Sequence, residues 1–196
     1  EPGTRIVLKA NPSFFADQPY FNRVEFLVIP ESSNRLAMLS TGDVDIAFAL
    51  SAAELSRAEK ARGVKVLSIP DRQKLNVGLN VRKGAKFDNV KLRQALAYAV
   101  PYDDIVYGVL KDRAAKSAGP MSVNSRFFGL YNLADMPSYY TDLDKAKELL
   151  KESGHGSGFS FELITAKGVP HVEQSAASLK SSFAKIGVDM TITPVS

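Results

Sequence analysis

The clearest pattern of hydrophobic and polar positions lies between residues 142 and 195, where it predicts helices and strands in alternation. Residues 159–165 and 188–195 are predicted strands, and each directly follows a glycine. The two helices carry their apolar residues on one face, at Leu143, Ala146, Leu149 and Leu150 in the first and at Val172, Ala176, Leu179, Phe183 and Ile186 in the second. A strand, a helix and a second strand in this order normally form a right-handed crossover in a largely parallel sheet. This part of the chain is therefore predicted to be α/β.

The first part of the chain predicts further sheet elements with shorter helices. Strands are predicted at residues 5–10, 23–29, 44–48, 64–69 and 75–81, and a helix at 50–62. A short helix is predicted to begin at Ser32 or Ser33 as its cap, to bury Leu36 and Leu39, and to end at Gly42. Gly78 lies inside the last predicted strand, where the missing side chain permits a close backbone approach or flexing.

A helix with a clear start signal is predicted at residues 87–100. Asp88 or Asn89 can accept a hydrogen bond from a free N–H of its first turn, and Pro101 stops it. A second short helix is predicted to open at residues 102–104 and to bury Ile105, Val106 and Val109. Residues 114–141 carry turn formers with scattered aromatic residues, which predicts a long surface loop.

Composition and charge exclude several classes of protein. The 196 residues are 45% hydrophobic and 23% charged, which is ordinary for a globular protein. Cysteine is absent from the sequence, so disulfides, thiolate metal sites and cysteine nucleophiles are excluded. The net charge of +4 comes from basic residues that are spread among 21 acidic ones, without a basic stripe. We therefore expect no nucleic-acid partner.

The sequence offers little support for catalysis, for a metal or for a cofactor. His155 and His171 are the chain's histidines, and neither lies in a cluster with metal-ligand spacing or beside an orienting acid. No serine lies in a Gly-x-Ser-x-Gly elbow, and Gly-rich phosphate loops are lacking. We predict no catalytic residue, no metal site and no cofactor.

The most plausible ligand-facing segment is residues 165–171, which leave the carboxyl end of a predicted strand and enter a helix. Ligands of open α/β sheets gather outside such strand ends, where the next helix offers free N–H groups. Thr165, Lys167 and His171 are therefore predicted ligand-binding residues, the last two through positive potential. An exposed turn lysine and a helix-start histidine remain the alternative interpretation.

Four segments together resemble the solute-binding proteins of bacterial ABC importers, in the peptide- and nickel-binding family (extracellular solute-binding protein family 5). These are FDNVKLRQALAYAV at residues 87–100, IVLKANP at 6–12 with Phe15 and Pro19, RLAMLSTGDVDI at 35–46, and DKAKELL at 144–150. The resemblance implies part of a two-lobed periplasmic-binding-protein-like α/β fold, with mixed sheets and flanking helices. It also implies a fragment, because members of the family are much longer.

The resemblance further implies a domain division and a function. Residues 1–79 would be the latter part of the first lobe with a hinge strand at 75–80, and residues 80–196 most of the second α/β lobe. Gln73 and Asn76, flanking the hinge, would hydrogen-bond the backbone of an extended ligand. The implied protein is a periplasmic, extracytoplasmic binding component that captures dipeptides or oligopeptides for a membrane permease. We expect a monomer.

Two alternatives stay open from the sequence. Within the family, a nickel chelate, a sugar or an opine-type solute could replace the peptide, because the matched segments belong to the scaffold. From another class, a cytosolic α/β hydrolytic enzyme would use Lys167 and His171 as catalytic groups.

Overall fold

The computed structural model describes residues 3–68, 73–117 and 138–195. By backbone contacts the chain divides into two compact units, Glu1–Lys65 (unit 1) and Val66–Ser196 (unit 2). None of the helices in the described ranges has the length and apolar content that crossing a bilayer would need. Most of the predicted loop at 114–141 lies outside the described residues.

Unit 1 is built on an antiparallel pair of strands, β1 (Arg5–Lys9) and β2 (Arg23–Leu27). The register sets Ile6 opposite Phe26 and Leu8 opposite Val24, so these four side chains share one face of the pair. All four are exposed, with Ile6 at 59% and Phe26 at 44%. The hydrophobic alternation thus predicted both strands correctly, and it leaves an apolar sheet face open to solvent.

Two helices complete the described part of unit 1, α1 (Ser32–Thr41) and α2 (Ala52–Ala58). Gly42 ends α1 in the left-handed conformation at φ 82°, as predicted. The predicted serine cap of α1 is wrong: Ser32 is helical and its hydroxyl accepts a hydrogen bond from the Ser51 N–H at 2.8 Å. Ser51 caps α2 instead, accepting from the Glu54 N–H at 3.2 Å.

Three strands predicted from short apolar runs are absent from the described residues. Residues 44–48, 64–68 and 75–81 take no regular strand structure, and the predicted helix at 50–62 is shorter than expected. A strand needs a hydrogen-bonded neighbour, and the sheets among the described residues are β1 with β2 and a second pair at Phe159–Ala166 and Val188–Val195. An apolar run by itself does not supply that neighbour.

Unit 2 contains the α/β pattern predicted from the second half of the sequence. Its elements are a 3-10 turn (Lys86–Asp88), α3 (Val90–Ala99), a π-helix (Asp104–Val109), α4 (Leu143–Glu152), β3 (Phe159–Ala166), α5 (Pro170–Ala184) and β4 (Val188–Val195). Strands β3 and β4 pair in parallel with α5 between them, so the predicted parallel unit is confirmed. The fold class is α/β, as expected.

The core of unit 2 lies between its helices and the β3–β4 pair. Its fully buried residues include Leu92 and Ala95 of α3, Leu150 of α4, and Val188 and Met190 of β4. Leu179 and Phe183 of α5, and Ile186 just after it, are buried. They lie on the helix face that the sequence predicted to be apolar. Asn89 caps α3, accepting from the Lys91 N–H at 2.9 Å, while its own amide donates to the Ser153 carbonyl oxygen at 3.3 Å. The cap therefore also joins α3 to the end of α4.

The short helix predicted after Pro101 is present but has an unexpected form. Residues 104–109 are a π-helix, with the Leu110 N–H donating to the Ile105 carbonyl oxygen at 2.9 Å. Lys111 and Asp112 follow with φ of 52° and 60°. Ile105, Val106 and Val109 are only partly buried, whereas the sequence predicted that they would be buried.

Candidate functional site

Unit 2 contains a cavity of ≈1110 Å³. Its walls come from segment 73–79, α3, the π-helix with the residues after it, β3 and α5. Most lining residues are apolar, among them Leu96, Val100, Leu163, Leu179 and Phe183. It is open to solvent on one side, and predicted ligand-binding residues lie among those that line it.

Three of the predicted site residues line this cavity, namely Gln73, Asn76 and Thr165. Gln73 and Asn76 are exposed, which suits contact with a solute. Thr165 is 7% exposed, and its hydroxyl has no hydrogen-bond partner among the described residues. A buried hydroxyl of this kind is costly unless a partner reaches it.

Lys167 and His171 do not line the cavity, although both side chains are exposed in unit 2. The Lys167 N–H donates to the Val195 carbonyl oxygen at 2.9 Å, so this residue extends the β3–β4 ladder by one step. His171 follows Pro170, the first residue of α5. Both basic residues thus lie at the strand-to-helix connection that the sequence predicted.

The start of α5 is less open to an anion than the sequence suggested. Glu173 accepts a hydrogen bond from the Gly168 N–H at 2.8 Å and places a carboxylate in the first turn of the helix. Gly168 has φ 76°, a left-handed conformation that favours glycine. The acidic side chain occupies part of the positive end of the helix, so the remaining positive charge beside it comes from Lys167.

Sequence reasoning missed Ser175 and Tyr102, which also line the cavity. Ser175 is 2% exposed and its hydroxyl has no hydrogen-bond partner among the described residues. Ser175 lies three residues after Val172 in the sequence, and this spacing could have predicted that it shares the apolar face of α5. The Tyr102 hydroxyl donates to the Ala97 carbonyl oxygen at 3.2 Å, and burial raises the pKa of this phenol.

Within residues 3–68, 73–117 and 138–195, no group of three or more His, Asp or Glu side chains is arranged to hold a metal ion. His171 has no hydrogen-bonded acid or nucleophile in those ranges. The arrangement offers exposed amides, a lysine and a histidine beside a strand end, and an apolar cavity with two buried hydroxyls. Such groups are suited to hydrogen bonds and charge pairing with a bound molecule.

All 196 residues match the family of bacterial extracellular solute-binding proteins, family 5 (middle). The chain belongs to this family, which confirms the resemblance predicted from its four segments. The family is one of binding proteins, and the predicted extracytoplasmic location is confirmed at the level of the family.

Relatives of this chain include peptide-binding proteins. It is 31% identical over 198 aligned positions to the dipeptide-binding protein of Escherichia coli K12, and 30% identical over 200 to the oligopeptide-binding protein AppA of Bacillus subtilis. The alignments cover 96% of this chain but only 35% and 36% of those relatives. The chain therefore spans about a third of the length of the curated relatives it matches.

The fold also resembles a solved structure along its whole length. AppA from Bacillus subtilis, in complex with a nonapeptide, matches with a TM-score of 0.87 and 28% identity. The match covers 100% of this chain and 40% of AppA. The predicted periplasmic-binding-protein fold is thereby confirmed.

Proposed function

We propose that this chain is part of the extracytoplasmic substrate-binding component of an ABC importer that captures dipeptides or oligopeptides. The observation that carries the proposal is the match to the family over all 196 residues, together with relatives named as peptide-binding proteins. A membrane permease is the partner that receives the solute. The protein acts as a monomer and performs no chemistry on what it binds.

The described side chains suit a peptide because they can form hydrogen bonds with its main chain and attract its terminal charge. Gln73 and Asn76 are exposed amides that can both donate and accept hydrogen bonds. Lys167 and His171 place positive potential at the end of β3, where a peptide carboxylate would be attracted. Such contacts do not involve the side chains of the peptide, so peptides of varied sequence can bind. Thr165 suits a solute least, because it is buried.

The proposed mechanism is closure of two lobes around the solute, which stabilises the closed state because it contacts both lobes. Residues 1–79 would then belong to the first lobe and the hinge, and residues 80–196 to the second lobe. Segment 75–80 suits a hinge because no described hydrogen bond holds its backbone to a neighbouring strand. A chain segment without such bonds can absorb changes in its dihedral angles.

Calorimetric titration with peptides of two to nine residues tests the proposal. The complete protein should bind a peptide with a dissociation constant in the micromolar range or below, roughly −8 kcal/mol or stronger. The 196-residue chain alone should bind weakly or not at all, since it spans about a third of its relatives. Micromolar peptide binding by residues 1–196 would overturn the need for both lobes.

A charge reversal at Lys167 distinguishes direct contact with the solute from a general effect of the protein's net charge on binding. Lys167→Glu should weaken binding of the complete protein about 10-fold or more, because a carboxylate partner would meet a negative charge. Lys180→Glu makes the same charge change at another exposed position, on α5, and should leave the affinity within about 2-fold. Equal effects of the two variants would argue against a direct role for Lys167.

A further inference from the structure

The positive net charge of the chain belongs to unit 2. Unit 2 holds 17 of the 25 basic residues and 13 of the 21 acidic ones, whereas basic and acidic residues are equal in number in unit 1. The net charge of +4 therefore comes from unit 2 alone. A net charge that is concentrated in one unit attracts solutes of the opposite sign to that unit.

The charged residues that line the cavity of unit 2 are mainly basic. Four basic residues and one acidic residue are among the described residues of its lining, namely Lys74, Arg93, Arg113, Lys116 and Asp112. Most of the other lining residues are apolar. Charges of one sign beside walls of low dielectric constant produce a stronger potential than the same charges on an open surface. An anionic group that approaches this part of unit 2 is therefore attracted.

Two of these basic residues follow a turn whose backbone is fixed. Lys111 and Asp112 come directly after the π-helix with left-handed backbones, at φ 52° and 60°. The Asp112 N–H donates to the Val106 carbonyl oxygen at 2.9 Å. Residues other than glycine keep this strained conformation only where the surrounding structure imposes it. Arg113 and Lys116 thus continue from a defined turn, and both are exposed.

Two of the cations at the cavity are held by neutral oxygen atoms. The Lys116 ammonium group donates to the Tyr139 carbonyl oxygen. The Arg93 guanidinium group donates to the carbonyl oxygens of Phe87 and Asp88, at 2.8 and 2.9 Å. A carbonyl partner fixes the position of a cation without cancelling its charge. Both side chains therefore keep a full positive charge beside the cavity.

Lysines on the helices outside the cavity lining are arranged differently. The Lys91 ammonium group lies 2.5 Å from a carboxylate oxygen of Glu152, and that of Lys145 lies 2.7 Å from one of Glu148. The two charges of such a pair largely cancel at a distance. The field that a solute meets thus comes mainly from cations without an acidic partner, as at Lys116.

We propose that unit 2 selects peptides with acidic side chains, and that Lys116 determines part of this specificity. The inference rests on the proposed capture of peptides and names their class. Main-chain contacts decide that a peptide binds, and the cations of unit 2 decide which peptide binds best. Lys167 adds a further positive charge, since it directly follows Ala166, which lines the cavity. The same charges would repel a basic peptide.

Peptides that differ in one side chain test this preference on the complete protein. They share the length that binds best in calorimetry and carry glutamate, glutamine or lysine at one central position. At low ionic strength the glutamate peptide should bind at least about 10-fold more tightly than the lysine peptide, with the glutamine peptide between them. The difference should shrink at high salt, because salt screens exposed charges.

The outcomes separate the preference from peptide capture itself. Equal affinities for the glutamate and lysine peptides at low salt would overturn the preference and leave peptide capture intact. Failure of all three peptides to bind would overturn both, because the preference depends on capture.

Substitution of Lys116 tests its own part in the preference. Lys116→Gln should weaken binding of the glutamate peptide about 5-fold or more and change that of the glutamine peptide by less than about 2-fold, because only the former loses a charge partner. Lys116→Arg keeps the charge and should keep the preference. An equal loss for both peptides in Lys116→Gln, or an unchanged preference, would overturn the role of Lys116.

Two further variants complete the comparison. Lys147→Gln removes an exposed charge on α4, outside the described lining of the cavity, and should change neither affinity by more than about 2-fold. Should Lys116→Gln not fold, Lys74→Gln makes the same charge change at another residue of the lining, with the same expected loss for the glutamate peptide. An unchanged preference in Lys74→Gln would then argue against selection by the charges of the lining.

Discussion

At the scale of single residues, the buried hydroxyls of unit 2 fall into two groups. Ser182 donates to the Ala99 carbonyl oxygen and Ser153 to the Leu150 carbonyl oxygen, each at 2.7 Å, so both are satisfied. Thr165 and Ser175 are not, and both line the cavity. A buried polar group without a partner destabilises a fold, so Thr165 and Ser175 contribute less to the stability of unit 2 than Ser182 and Ser153 do.

Tyr102 should make the stability of unit 2 depend on alkaline pH. Burial, and secondarily Tyr139, raises its pKa above the ordinary 10.0. The unfolded chain therefore loses this proton first, and the free energy of unfolding should fall as pH rises above about 10. Urea unfolding of the 196-residue chain between about pH 8 and about pH 11 measures this fall.

Comparison with phenylalanine variants isolates the hydroxyl of Tyr102. Tyr102→Phe should flatten the alkaline fall, while Tyr107→Phe, at an exposed tyrosine, should leave it unchanged. Lys116, whose ammonium group lies 5.0 Å from the Tyr102 ring centroid, stays in both variants. An unchanged alkaline slope in Tyr102→Phe would rule out this phenol as its source.

At the scale of elements, the turns before β3 and β4 touch each other. Gly158 has φ 85°, and a Cβ built there would lie 2.0 Å from the Gly187 carbonyl oxygen. Gly154 has φ 84° with nothing within 4 Å, and Gly108 has neither a positive φ nor a neighbour within 4 Å. The three glycines therefore separate the effects of close packing, backbone strain and chain entropy.

Alanine substitution at these glycines should give three different results in urea unfolding. Gly158→Ala should destabilise unit 2 by roughly 3 kcal/mol, because strain and a backbone clash combine. Gly154→Ala should cost about 1 kcal/mol from the left-handed conformation alone. Gly108→Ala should be neutral or stabilise by up to about 1 kcal/mol. Similar losses of stability at Gly158 and Gly154 would show that the backbone at Gly187 moves away from an added Cβ at little energetic cost.

The elements also show what the sequence could and could not predict. The periodic helix faces were predictable from local spacing with a glycine or capping residue, as at Gly42 and Asn89. The β3–β4 pair was predictable because its two strands follow each other across a single helix. Strands at 44–48 and 75–81 were not, because a strand depends on a partner elsewhere. The π-helix at 104–109 has no spacing signal of its own. Among site residues, the connection at Lys167 was predictable, whereas the burial of Thr165 and Ser175 depends on tertiary packing.

At the scale of the whole chain, the two units differ in how much apolar surface they bury. The buried hydrophobic cluster, from Leu92 to Met190 along the chain, lies in unit 2. In the described part of unit 1 the buried hydrophobic residues are Leu36 and Ala58, while Ile6, Leu8 and Phe26 are exposed. A two-stranded sheet with an open apolar face is marginally stable in water. The 196-residue chain should therefore be well folded in unit 2 and weakly folded in unit 1.

Hydrogen exchange and dye binding on the 196-residue chain measure this difference. The hydrogen-bonded amides of β1 and β2 should exchange at least about 100-fold faster than those that pair β3 with β4. A dye that reports exposed apolar surface should bind, and Phe26→Thr should reduce its binding while changing stability by less than about 0.5 kcal/mol. Leu92→Ala, inside the unit 2 core, should instead cost about 3 kcal/mol. Protection of β1 equal to that of β3 would mean that the apolar face of unit 1 is covered in solution. In the complete protein that cover is expected, because an apolar sheet face of this size needs a packing partner to persist.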